Sequence, residues 1–360
     1  MKNSPTQTIR LDIFDGLRGH LMVGMLIAHL SFQENLEWLK YFHHNILIRI
    51  YDAEFFVLIA GLLIGYLWTN YYKSSKSRYI FVVSRIVTVY KYYIISAIPF
   101  FYFSIYNDSS VIKSIIWVLT MQKGGWYSDI LPIYFICFII VLPFTIFKLL
   151  NKKYLMLSAS ATLYTISQFT NLDGFLGFSS NFVVFDIAAW QFLFVSAILI
   201  GQKGLKLYDF IVKLDAHKIL MALLVITAIS LFLRQNSFYP NPLMITESLT
   251  GNSPRMGLHP LYLIRILLIS FCIYIFMVRT DQWILPIHKI IHWYLSLKFI
   301  RSIGKYSIQM FVFHVYIMAL YELLHKDTSF IEKSIFAIFF ISLFIAAPNI
   351  WVSFKKHRQN

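Results

Sequence analysis

Acidic residues are scarce in this chain: 17 Asp and Glu stand against 32 Lys and Arg in 360 residues, and charged residues of both signs make up only 14%. A soluble globular domain carries nearer a quarter. With 58% hydrophobic residues and a mean hydropathy of +0.64, the deficit excludes a soluble fold and predicts an all-α polytopic membrane protein. Cysteine is nearly absent as well. Cys137 and Cys272 each lie inside an apolar stretch, which excludes a disulfide framework and a CxxC metal site, and no metal is expected. The net charge of +15 does not imply nucleic acid, because no basic stripe with stacking aromatics stands outside the apolar stretches. No small-residue cleavage site follows the first hydrophobic stretch, so it is expected to remain as a helix. Internal repeats, low-complexity tracts and a soluble domain are also lacking, so residues 1–360 read as a single transmembrane domain.

What the chain does have is a succession of apolar windows of bilayer length. They predict ten spans near 11–32, 47–70, 79–105, 129–149, 154–170, 182–201, 217–236, 259–280, 303–324 and 331–353. The stretch 111–122 is too short to cross and reads as a half-helix or interfacial turn. Positive charge orients the spans, since cytoplasmic loops retain Lys and Arg. With the N-terminus inside, the inner loops hold Lys73, Lys76 and Arg78, then Lys148, Lys152 and Lys153, then Lys203, Lys206 and Lys213, then Arg279, Lys289, Lys298 and Arg301, and finally Lys355, Lys356 and Arg358. Outer loops hold little beyond Lys40, Lys113, Lys123, Arg255 and Lys326, so an N-in, C-in topology is expected. Residues 281–300 alternate apolar and basic positions at helical spacing and predict one amphipathic helix at the inner interface. His288 and His292 within it lack an accompanying carboxylate or cysteine and read as interfacial.

Ionisable groups inside spans cost at least ~2.5–3.5 kcal/mol each and are functional candidates for that reason. Arg18 and His29 lie in the first span. Their eleven-residue separation is three turns plus about 20°, which puts both on one helix face about 16 Å apart. Sorted by depth, Asp15, Arg18 and Arg85, with Lys91 nearer the middle, form an inner cationic group, in which Asp15 pairs with Arg18. His29 lies near the outer side, where Asp52, Glu54, Asp129 and Asp186 also enter, with Trp190 and Gln191 following Asp186 and His314 between the middle and outer levels. In the second span GLLIG, residues 61–65, is a small-xxx-small spacing that admits a close helix neighbour. Tyr71, Tyr72, Trp126 and Tyr127 read as interfacial belt residues.

Guanidinium groups suit phosphate, and a histidine oriented by a carboxylate suits general-base work on a hydroxyl. The depth-sorted charges therefore describe transfer of a group from a phosphate-bearing donor on one side to an acceptor hydroxyl on the other. The bland alternatives are Arg18 and Arg85 as snorkelling anchors, Asp52 and Glu54 as helix-start acids, and His29 as an interhelical hydrogen bond. An alternative in another class is a secondary transporter of an anionic solute, which the lack of a repeated pair of Gly/Pro-broken helices argues against.

These residues resemble the OpgC family, a branch of a larger membrane acyltransferase superfamily that includes the family-three acyltransferases. FDGLRG with Arg18 and His29, DAEFFVLIAG at 52–61, SRIVTVY at 84–90, DILPIYFICFIIVLP at 129–143, FDIAAWQFLFVSAILIG at 185–201 and IGKYSIQMFVFH at 303–314 carry the resemblance in order. It implies a ten-helix enzyme of the bacterial inner membrane that moves an acyl group, succinyl or acetyl, from cytoplasmic acyl-CoA to a hydroxyl of a periplasmic or envelope glucan. By the same resemblance His29 is the catalytic histidine, with Asp52 and Glu54 in the outer site. The resemblance also has Arg18 and Arg85 contact the CoA donor. From their depth, Asp15 and Lys91 are expected to assist there, and Asp129, Asp186, Trp190, Gln191 and His314 are expected to face the acceptor. Ser84 stands where relatives often carry a paired arginine, with Lys91 or Arg78 as the substitute cation. No permanently bound cofactor is expected, and the bilayer, acyl-CoA and the glucan are the expected partners.

Overall fold

The structure is a computed structural model that describes residues 5–32, 36–48, 50–99, 111–121, 127–128, 130–146, 153–170, 185–234, 255–325 and 328–357. It is all-helical, with no strand among the described residues. Each predicted span contains a helix: α1 (Pro5–Phe32), α3 (Asp52–Asn70), α4 (Ser75–Ser96), α6 (Ile130–Ile146), α7 (Lys153–Ser167), α8 (Ile187–Gln202), α10 (Ala216–Arg234), α11 (Pro260–Val278), α14 (Ser307–His325) and α15 (Phe330–His357). Shorter helices fill the connections: the single turn α2 (Asn45–Ile48) preceded by a 3-10 turn at Glu37–Phe42, α5 (Val111–Leu119), α9 (Gly204–Lys213), α12 (Leu285–Ser296) and α13 (Lys298–Lys305).

Among the described residues, five helices are long and apolar enough to cross a membrane: α3, α4, α11, α14 and α15. The pair α8–α9, bent by 67° about Lys203, makes a sixth if it counts as one span. The remainder fall short for different reasons. Helices α6 and α7 have only 17 and 15 residues, whereas α1 is long but diluted by Asp12, Asp15, Arg18, His20 and His29. Apolar side chains such as Ile331, Ile335, Ile338 and Phe339 remain exposed on α15, as hydrocarbon-facing surface would be.

Two close helix contacts organise the bundle. In the first, α3 lies along α8, and a Cβ at Gly65 would run into the Ile198 carbonyl while one at Gly201 would run into that of Leu62. The neighbour admitted by GLLIG is therefore α8, whose N-terminus is capped by Asp186 through the Ala189 N–H at 3.0 Å. In the second, α13 docks on α1: a Cβ at Gly304 would meet the Asp15 carbonyl, and one at Gly19 the Ile300 carbonyl. Such backbone contact needs glycine on the approaching face. Gly304→Ala is expected to cost about 1–3 kcal/mol through overpacking, seen as a lowered apparent Tm of the detergent-solubilised protein; an unchanged Tm would show that the contact is dispensable.

The region expected to be one amphipathic helix over 281–300 is two. Leu297, at φ −55° and ψ 131°, breaks α12 from α13, and α13 turns Ile300, Ile303 and Gly304 inward onto α1 while Lys298 and Lys305 stay outside. The next span consequently starts at Ser307 and not at 303. His288 and His292 on α12 reach the carbonyls of Phe276 and Met277, at 3.2 and 2.9 Å, so they close the C-terminal end of α11. Arg279, counted above among the topology cations, binds the carbonyls of Ile211, Val212 and Leu214 at the end of α9 and both carboxylate oxygens of Asp281. Arg78 does the same for α3, donating to Trp68 and Tyr72 carbonyls.

Candidate functional site

Arg18, Met22, Met25 and His29 recur at four, seven and eleven residues along one face of α1. Ser307, Phe311 and His314 do the same at four and seven on α14. Between these faces and α3, α4 and α6 lies an open cleft with about 170 Å³ of space accessible to water. Arg18 and Arg85 line it together with apolar walls that include Met22, Met25, Phe56 and Phe311. Arg18 keeps its expected partner Asp15, and Arg85 lies 5.2 Å over the Phe81 ring. Lys91 is exposed beside Tyr92 and does not line the cleft.

One turn past Met25 and one turn past Phe311, the two helix faces meet. His29 Nδ1 lies 2.8 Å from His314 Nε2, across 285 positions of sequence. His314 is fully buried, and its Nδ1 has no partner among the described residues. An orphaned buried polar atom costs about 1–3 kcal/mol and calls for a functional reason. Tyr127 packs its ring 4.8 Å from that of His29, held at φ 62°, a strained backbone for a tyrosine. It is a wall of the site, where sequence had suggested a membrane belt.

The hydrogen-bond partner of His29 is His314 and not a carboxylate, and Asp52 and Glu54 bond to other groups. Glu54, fully buried at the start of α3, accepts from Tyr262 Oη at 2.6 Å and Arg255 Nε at 2.8 Å. The Arg255 guanidinium sits 4.1 Å over Tyr51 and 5.5 Å over Phe185. Asp52 accepts from His43 Nε2 at 2.8 Å and packs onto Gly24 of α1. The second oxygens, Glu54 Oε2 and Asp52 Oδ1, are buried without hydrogen-bond partners among the described residues.

Asp186, Trp190 and Gln191, expected to face an acceptor, build the support for Arg255. The Asp186 N–H and the Trp190 indole both donate to the Met256 carbonyl, at 3.1 and 2.9 Å. Tyr164 and Gln168 of the α7 end hold Leu258 and Gly257 carbonyls, and Gln191 ties α8 to Ser160 of α7. Asp129, together with Trp126, lies outside the described residues.

His43, His44 and Asp52 offer ligand-type atoms within 4.8 Å of one another. Burial lowers the pKa of His44 and keeps it neutral, as a ligand must be. The tautomer of His43 weighs against an ion there. Its Nδ1 accepts the Asn45 N–H at 3.0 Å, so Nε2 carries the proton donated to Asp52 and is not a free lone pair. These histidines, and His20 bonded to Tyr294 at 3.0 Å, escaped the sequence reading, although the adjacent pair at 43–44 before two acids was a legible signal.

In chemical terms the arrangement offers an arginine pair at one end of an apolar cleft, a coupled imidazole pair just beyond its other end, and two buried carboxylates flanking that end. No curated protein and no solved structure matches the chain. The family model described as OpgC protein matches residues 8–356, which include α1 with Arg18 and His29, α4 with Arg85 and α14 with His314, and the chain belongs to the OpgC family.

Proposed function

We propose that this protein is a membrane O-acyltransferase that takes an acyl group, succinyl or acetyl, from cytoplasmic acyl-CoA and places it on a hydroxyl of a periplasmic or envelope glucan. Membership of the OpgC family supports a glucan-modifying acyltransferase. The observation that carries the donor side is the cleft that joins the Arg18–Arg85 end to the level just below His29. Eleven residues of α1, at ~1.5 Å each, span about 16 Å, a length that suits a donor whose phosphates stay with the arginines while its thioester reaches the imidazole. Apolar walls suit the arm between them. In this reading the bundle has ten spans in the bacterial inner membrane with both termini in the cytoplasm, the basic loops inside. The hydroxyl oxygen attacks the thioester carbonyl, His29 takes the hydroxyl proton, the carbon–sulfur bond breaks, and that proton leaves with the thiol.

The test is transfer of radiolabel from succinyl- or acetyl-CoA to a glucan by the purified protein in nanodiscs. Label in the glucan no higher than with empty nanodiscs would overturn the proposal, and solute uptake into proteoliposomes without a covalent product would favour a transporter. Arginine bonds to charged phosphate are worth about 1.5–3 kcal/mol each. Arg18→Ala and Arg85→Ala are therefore expected to raise KM for acyl-CoA at least about tenfold, while Lys91→Ala, off the cleft, leaves KM unchanged.

A further inference from the structure

We infer that His314 is the positioning residue for His29, setting its tautomer so that Nε2 is the nitrogen free to accept the hydroxyl proton. The inference rests on the acyltransferase reading for the reaction itself and on geometry for the pairing. His29 Nδ1 and His314 Nε2 are 2.8 Å apart, a distance at which one of them must carry the proton and the other must accept it. If His314 were the donor, His29 would accept at Nδ1 and carry its own proton on Nε2, leaving no lone pair for a hydroxyl. The reactive arrangement is the reverse: His29 Nδ1–H donates to His314 Nε2, and His314 holds its proton on Nδ1.

The two carboxylates that sequence offered for this task are already engaged, Asp52 by His43 and Glu54 by Arg255 and Tyr262. A histidine does the work of a carboxylate here without adding net charge to the membrane interior, where charge is costly. Once His29 has taken the hydroxyl proton it is an imidazolium, and the bond to the neutral His314 becomes charge-assisted and stronger. The pair is thus better matched to the charged stage of the reaction than to its start. Tyr127, packed on the His29 ring, limits its rotation.

The prediction separates orientation from packing. His314→Phe keeps the ring volume and removes the acceptor; kcat is expected to fall about 10²-fold with KM for acyl-CoA unchanged. His314→Gln, whose side-chain oxygen can accept from His29, is expected to recover activity to within about tenfold of wild type. The ¹⁵N spectrum of histidine-labelled protein in nanodiscs should show His29 protonated on Nδ1 in the wild type and in His314→Gln, and a shift towards the other tautomer in His314→Phe. Equal kcat in all three proteins, or a His29 tautomer indifferent to residue 314, would overturn the assignment. A wild type that transfers no acyl group removes the acyltransferase reading, while the ¹⁵N signature still decides whether His314 sets the His29 tautomer.

Discussion

His29→Ala is expected to lower acyl transfer by about 10²–10⁴-fold, the range for loss of a positioned general base, while leaving the helical fold and KM for acyl-CoA near their wild-type values. The size follows from the lack of a substitute. His314 is fully buried and lies behind His29. Asp52 and Glu54 are held by His43 and by Arg255 with Tyr262, and moving either to the hydroxyl would break a buried hydrogen bond. KM is insensitive because Arg18 and Arg85, which grip the donor in this reading, lie at the other end of the cleft. Initial-rate measurements with labelled acyl-CoA check the outcome. Wild-type turnover by His29→Ala would exclude His29 as the base.

Removal of Arg255 should give the largest loss of stability. Its guanidinium is paired with a carboxylate that is fully buried, and breaking such a pair by deleting one member costs about 3–5 kcal/mol because the other charge is left uncompensated. Arg255 itself is 27% exposed, so water reaches part of the pair and the lower end of that range is expected for Arg255→Ala. Adding Glu54→Gln removes the stranded charge, and the double variant should be more stable than Arg255→Ala alone. Thermal unfolding in detergent reads both effects. An Arg255→Ala protein that unfolds at the wild-type temperature, or a double variant less stable than the single, would show that the pair is not coupled in this way.

Much of the framework was legible from residue order. Periodicity placed Arg18 and His29 on one face of α1, the small-residue spacing at 61–65 announced a close neighbour, and hydropathy located a helix in every predicted span. Length and apolar composition together, however, qualify five or six of those helices as membrane-crossing among the described residues. Legibility ended where a property depended on two distant segments. Nothing near residue 29 indicates His314, and Arg255 looked like an ordinary loop cation until Tyr51, Phe185 and Glu54 were seen around it. Asp186, Trp190 and Gln191 were recognisable as polar or amphipathic groups at one depth, yet their bonds go to the turn at 255–258 and to α7.

The sequence by itself determined an all-helical, membrane-type chain, the helix faces that carry cations and imidazoles, and the spacing between them, because these depend on local hydropathy and on the fixed rise and pitch of a helix. Only the tertiary structure decided which groups are partners. It paired His29 with another histidine, gave Asp52 an imidazole and gave Glu54 a guanidinium. Hydrogen bonds act over about 3 Å, and which side chains come within that distance is set by how α1, α3 and α14 pack, through contacts hundreds of residues apart in the chain.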